Sequence, residues 1–188
     1  MAGLKVITPP PVEPVTLGEV KTQLRIDADD TDYDDILSPL IVAAREWCEG
    51  YQNRAYITQT LELALDEWPC KGVINLPRPE LQSVTSLTYF NADGASAVWP
   101  NENYVVDDYS FVARLVKAKG VPWPSECLTA ANGIRVRYVA GYGDSGDDVP
   151  QKIKQAIMLL TIHWYENGMC DPPPAVKSLL QLDRVMLA

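Results

Sequence analysis

The stretch 148-DVPQKIKQAIMLLTIHWYENG-168 carries the signals for both ends of a helix. Asp148 is placed to cap it, Pro150 falls in the first turn where a missing N–H costs nothing, and Gly168 follows the last periodic residue. At about 100° per residue, Ile153, Ile157, Leu160 and Trp164 align in one stripe with Ala156 beside it. Met158 and Ile162 point to nearly the opposite side, and Lys152, Lys154, Gln155, His163 and Glu166 fill two thin polar seams. A lone surface helix has no need of two apolar faces. The segment is therefore expected to be packed on both sides, either by the rest of its own chain or by another subunit.

Upstream of this helix the period is two. Residues 133–140, G-I-R-V-R-Y-V-A, alternate cleanly, and so do 58–65, T-Q-T-L-E-L-A-L, where Leu61, Leu63 and Leu65 share a face. Between them lie 72–76, 81–90, 95–99, 103–107 and 111–116, separated by turn signals such as Pro77-Arg78-Pro79 and Asn91-Ala92-Asp93-Gly94. Such a run predicts a small antiparallel sheet or barrel inserted between helices. The exit, Gly141-Tyr142-Gly143-Asp144-Ser145-Gly146, has three glycines but no Lys-Ser/Thr to meet a phosphate, and its acids would repel one. It reads as a flexible connector.

Before the strands the sequence is helical. Thr16-Leu17-Gly18-Glu19 is a capping box opening a short helix that buries Leu17, Val20 and Leu24. A second helix, from about 32 to 52, follows with Pro39 inside it, where a missing N–H should kink it, and Asn53-Arg54 at its close. The acidic run between them, Asp27 to Asp35, fails as a calcium loop. Started at Asp30, the positions that demand Gly and Glu hold Asp35 and Ile41. It is expected instead to complement the positive end of the second helix, with Asp30 or Thr31 as cap. Residues 1–15, with P-P-P-V-E-P, read as an extended arm.

Past Gly168, Asp171-Pro172-Pro173-Pro174 is a stiff linker to a terminal helix over 175–187 that exposes Val176, Leu179, Leu180, Leu182, Val185 and Met186. The fold class is thus α+β. An arm (1–15) precedes a helical module (16–57 and 148–187) that carries the inserted antiparallel β region (58–143).

The 188 residues carry 16 Lys and Arg against 25 Asp and Glu, a net charge of −9 that repels phosphate backbones and disfavours a dedicated nucleic-acid binder. No apolar run reaches bilayer-spanning length and the N-terminal stretch lacks a secretory signal, so a cytoplasmic product is expected. Cys48, Cys70, Cys127 and Cys170 are scattered, which points to free thiols rather than a zinc site or a disulfide framework. His163 is the only histidine, so a catalytic triad or a His-rich metal site has too few parts. No catalytic, metal-binding or cofactor-binding residue is assigned, and no enzyme is expected.

Three ordered stretches carry a resemblance. They are T-L-G-E-V-K-T-Q-L-R-I-D through I-V-A-A-R-E-W-C-E-G-Y to N-R-A-Y-I-T-Q-T, then L-P-R-P-E-L-Q-S-V-T-S-L-T-Y, then V-R-Y-V-A-G-Y-G with V-P-Q-K-I-K-Q-A-I-M-L-L-T-I-H-W-Y-E-N. From about Thr16 to Arg184 the chain resembles the head–tail connector (adaptor) proteins of tailed phages, a group also described as DNA-packaging proteins of phages and prophages. Glu80, after the Pro-Arg-Pro turn, and Pro39 depart from the family pattern.

The resemblance implies a structural virion protein at the head–tail junction, assembled in the host cytoplasm. It implies a ring, dodecameric on the portal, whose isolated chains can be monomeric. The ring would join the portal protein to a tail-proximal stopper protein and continue the DNA channel without sequence-specific binding. An acidic lining would let DNA slide rather than stick. In this frame Met158 and Ile162 are candidate subunit contacts, while Leu179, Leu180, Leu182 and Met186 are candidates for docking a partner. The alternative is a DNA-packaging accessory that binds DNA or the packaging motor.

Overall fold

The computed structural model describes residues 3–186, so Met1, Ala2 and Leu187 of the expected arm and terminal helix lie outside the described residues. The chain divides into two compact units. One takes the residues up to Pro9 and Thr58–Gly141, and the other takes Pro10–Ile57 and the chain from Tyr142 onward.

The second unit is helical. Its elements are α1 (Leu17–Leu24), α2 (Asp34–Gln52), α3 (Gln151–Asn167) and α4 (Pro174–Gln181). α1 opens with the capping box: Thr16 Oγ1 accepts from the Glu19 N–H at 3.2 Å and the Glu19 carboxylate accepts from the Thr16 N–H at 2.7 Å. α2 closes on Asn53 in the left-handed region (φ 55°), as an Asn after a helix does at low steric cost.

The stripe of α3 is core. Ile153, Ile157 and Leu160 are fully enclosed and Trp164 nearly so, among Val20, Leu37, Ile41, Ala44, Cys48, Val176 and Leu180 of the other three helices. Each such aliphatic side chain contributes about 1.5–3 kcal/mol by leaving water.

The ends of two helices differ from expectation. α3 is preceded by Pro150 with no side-chain cap. Asp148 closes a capping box on the 3₁₀ turn Gly146–Asp148 instead, its Oδ2 accepting from the Ser145 N–H at 3.0 Å. The exit from the last strand is accordingly fixed: a Cβ on Gly143 would lie 2.2 Å from that same oxygen, so only glycine fits. At α2 neither Asp30 nor Thr31 caps. Tyr33 holds the cap position, with Asp34 and Asp35 in the first turn, where their charge meets the positive helix end. The half-buried Asp34 pairs at 2.5 Å with the buried Lys21, whose ammonium also donates to the Asp30 carbonyl at 2.7 Å.

The other unit is all β. Among the described residues its strands are β1 (Gly3–Thr8), β2 (Gln59–Leu65), β3 (Val73–Asn75), β4 (Leu81–Phe90), β5 (Ser96–Trp99), β6 (Tyr104–Asp107), β7 (Arg114–Lys117) and β8 (Ile134–Ala140). They form an antiparallel sheet of order β1-β2-β8-β4-β5 and a second of order β3-β7-β6, with no closed barrel. The start of the expected arm is thus a strand, with Leu4 opposite Leu63 and Lys5 opposite Glu62.

Register sorts the two faces, since directly paired residues share a side. One row across the five strands reads Leu4, Leu63, Val136, Leu87, Trp99, and all but Leu4 are buried. In the smaller sheet Ile74 pairs with Leu115, both buried. Trp68, Trp99, Trp123 and Tyr104 form one aromatic cluster. Trp68 stacks on Trp123 at 4.5 Å between centroids, and the Trp123 indole N–H donates to the Pro69 carbonyl at 3.1 Å.

Candidate assembly surfaces

The helical unit fastens its own ends with buried polar groups on the last turns of α2. The Arg45 guanidinium donates to Glu13 at 2.7 Å and to Glu49 at 2.9 Å. The other Glu49 oxygen accepts from the Tyr56 N–H at 2.9 Å. Gln52, fully enclosed, accepts from the Tyr56 hydroxyl at 2.8 Å and donates to the Leu180 carbonyl at 2.7 Å. Arg54 donates to the Asp183 carbonyl at 2.8 Å, and the Val185 N–H reaches the Gln52 carbonyl at 2.9 Å. Both the Pro-rich entry and the chain after α4 are thereby tied to α2.

Burial pushes the Glu13 carboxyl above its usual range, more than Arg45 pulls it down. Burial opposes the charge on Arg45 as well, but Glu49 and Glu13 outweigh it and hold that group protonated.

These ties decide what the terminal helix can offer. Val176, Leu180 and Val185 are buried and Leu179 is half-buried against the helical core, whereas Leu182 and Met186 stand 86% and 75% exposed. Leu180, expected to be exposed, is instead enclosed within its own chain. On α3, Met158 is half-buried and packs on the same core, Ile162 is half-buried, and Leu159 is 41% exposed. Met158, on the second apolar face of α3, is thus partly covered by its own unit.

The loop after α3 folds back, held by the Trp164 indole N–H on the Cys170 carbonyl at 2.9 Å. That places Cys170 Sγ 3.1 Å from His163 Nε2, a pairing seven residues apart that no helical period announces. Cys48 is buried, its thiol pushed up to about 12 by burial and by Glu49, while Cys70, Cys127 and Cys170 are exposed. No cluster of potential metal ligands occurs among the described residues.

Charge is unevenly shared. The β unit has eight Lys and Arg against nine Asp and Glu, and the helical unit has eight against sixteen. The side of the five-stranded sheet opposite its buried row carries Lys5, Glu62, Arg137 and Ser86 in one line and Ala64, Arg135, Thr88 and Val98 in the next. Arg137 is held by Glu62 at 2.7 Å. Arg135 lies 4.4 Å over the Phe90 ring, and clefts run beside it on both sides, one along Gly3–Lys5 and one along Ser86 and Thr88.

The two-unit architecture is found in phage-like particle necks. The chain aligns over 99% of its length, and 97% of the other chain, with a structure of the neck of an empty GTA particle computed with C6 symmetry (TM-score 0.83, 24% identity). It aligns over 98%, and 96% of the other, with a chain of the virion of a native gene transfer agent particle (TM-score 0.81, 25% identity). A neck of the native particle computed with C12 symmetry gives a TM-score of 0.75 at 23% identity, over 99% of this chain and 97% of that one. A search of curated proteins found no match.

The fold is thus that of a structural component of a virion neck. The chain belongs to the head completion protein family, whose sequence model matches residues 14–171. It is a structural protein of the head–tail junction.

Proposed function

We propose that this chain works without catalysis, as one member of a ring seated between the portal protein and a tail-proximal stopper protein and continuing the DNA channel. The observation that carries the reading is the end-to-end likeness of fold to a neck component, joined to family membership across residues 14–171. Rotational symmetry in the matching necks favours a closed ring, in which one face of each copy meets a different face of the next.

Leu182 and Met186 are the proposed docking residues on the terminal segment, together with the half-buried Leu179. Ile162 and the partly covered Met158 are the proposed subunit contacts. The domain reading stands as a proposal in the same frame: a helical module that engages neighbours, elaborated by the inserted β region.

The test is to mix the purified chain with its cognate portal and image the product by electron microscopy. A symmetric collar on the portal is expected. Bare portals at saturating protein, under conditions where assembled particles retain their necks, would overturn the reading.

A further inference from the structure

We propose that the basic outer face of the β1-β2-β8-β4-β5 sheet is a subunit interface, and that it receives the acidic segment between α1 and α2 of a second copy of this chain. The proposal rests on the ring reading above and names a further contact between neighbouring copies, beside that of Met158 and Ile162.

The sheet face bears three cations, Lys5, Arg135 and Arg137, against one carboxylate, Glu62. Glu62 is taken by Arg137, and Arg135 rests on an aromatic ring, so Lys5 and Arg135 keep their charge outward. This is a net positive surface in a chain of net charge −9.

The excess acid lies in the helical unit and concentrates in one segment. Of the six aspartates from Asp27 to Asp35, four before α2 and two in its first turn, Asp34 is engaged by Lys21 and Asp30 accepts from the Asp32 N–H, while Asp27, Asp29, Asp32 and Asp35 are exposed. Like charges so close repel one another and gain most from a cationic partner. A ring contact must join unlike surfaces, and these two are unlike in sign, one on each unit. DNA phosphate would meet the same cations, but the chain as a whole repels it.

The experiment uses the full chain, with Lys5→Glu and Arg135→Glu in one variant, Asp29→Lys and Asp32→Lys in a second, and all four in a third. All sites are exposed, and circular dichroism checks that each variant is folded. Collar formation on the portal is scored by electron microscopy. Each two-site variant is expected to lose at least tenfold in collar yield, and the four-site chain to regain it, because reversed face then meets reversed segment.

Either two-site variant assembling like the wild type, or a four-site chain no better than its parts, overturns the contact while leaving the ring intact. Loss of DNA retention with unchanged collars overturns it in favour of a phosphate ligand. A wild-type chain that forms no collar overturns the ring reading, and this contact with it.

Discussion

Gln52 on α2 donates its side-chain N–H to the carbonyl of Leu180 on α4, 2.7 Å away and 128 residues on in the chain. The same amide accepts from the Tyr56 hydroxyl at 2.8 Å, and Gln52 is fully buried. One side chain thus satisfies two groups that water cannot reach. Gln52→Leu keeps the bulk and strands both partners, and a buried unsatisfied group costs about 1–3 kcal/mol. A loss of about 3 kcal/mol in urea unfolding is expected, with earlier proteolytic release of the segment after α4. An unchanged midpoint would show that α4 docks by its apolar side chains alone.

Two glutamates should titrate on opposite sides of the ordinary carboxylate value of 4.5. Glu13 is raised, chiefly by burial. Burial also works on Glu19, but the Thr16 N–H and Lys154 outweigh it and lower that group. The signs of their contributions to stability then differ. Between 4.5 and its raised value, Glu13 holds more proton folded than unfolded, so its contribution declines as pH rises through that window. Glu19 contributes above 4.5 and loses that contribution as pH falls through its lowered value. Carbon-13 NMR titration of the side-chain carboxyls should give midpoints above 4.5 for Glu13 and below it for Glu19; the reverse order would contradict the geometry of both sites.

Burial also separates the four cysteines. Cys48 is enclosed in the helical core, whereas Cys70, Cys127 and Cys170 are exposed. The thiolate is the reacting species, and a thiol pushed up to about 12 supplies almost none at pH 8. A thiol-reactive chromophore at pH 8 should therefore modify three cysteines promptly in the native chain and the fourth only on unfolding. Prompt reaction of Cys48 would mean that α2 opens readily.

What the letters disclosed follows from how local each signal is. The capping box at Thr16 and Glu19 needs only four residues, and it stands as read. The alternation of 133–140 is set by pairing on both sides, and β8 spans Ile134–Ala140 between β2 and β4. By contrast, β1 is an edge strand whose residues are all exposed, so no buried alternation marks it and the prolines that follow dominate the reading. Asp148 looked like a cap because it stands before a helix, yet Ser145, three residues back, claims its carboxylate. The pairing of Cys170 with His163 depends on a loop turning back, which spacing does not encode. Periodicity shows that a face is apolar. It does not show what covers that face, and this is why Leu180 and Leu182 looked alike.

Those two leucines give the sharpest test of where the chain ends its own core and begins its contacts. Leu180 is fully enclosed among helical-core residues, while Leu182, two positions on, is 86% exposed. Truncating an enclosed leucine removes transfer energy and leaves a cavity, for about 2–5 kcal/mol. Truncating an exposed one typically changes stability by about 0.5 kcal/mol or less. Leu180→Ala should therefore lower the unfolding midpoint strongly. Leu182→Ala, or the double change with Met186→Ala, should unfold like the wild type and yet bind the portal more weakly, measured by co-sedimentation. The split separates fold from docking in neighbouring residues. If Leu182→Ala with Met186→Ala bound the portal at full strength, the exposed end of the terminal segment would not be the docking surface, and the proposed contact would have to lie elsewhere on the helical unit.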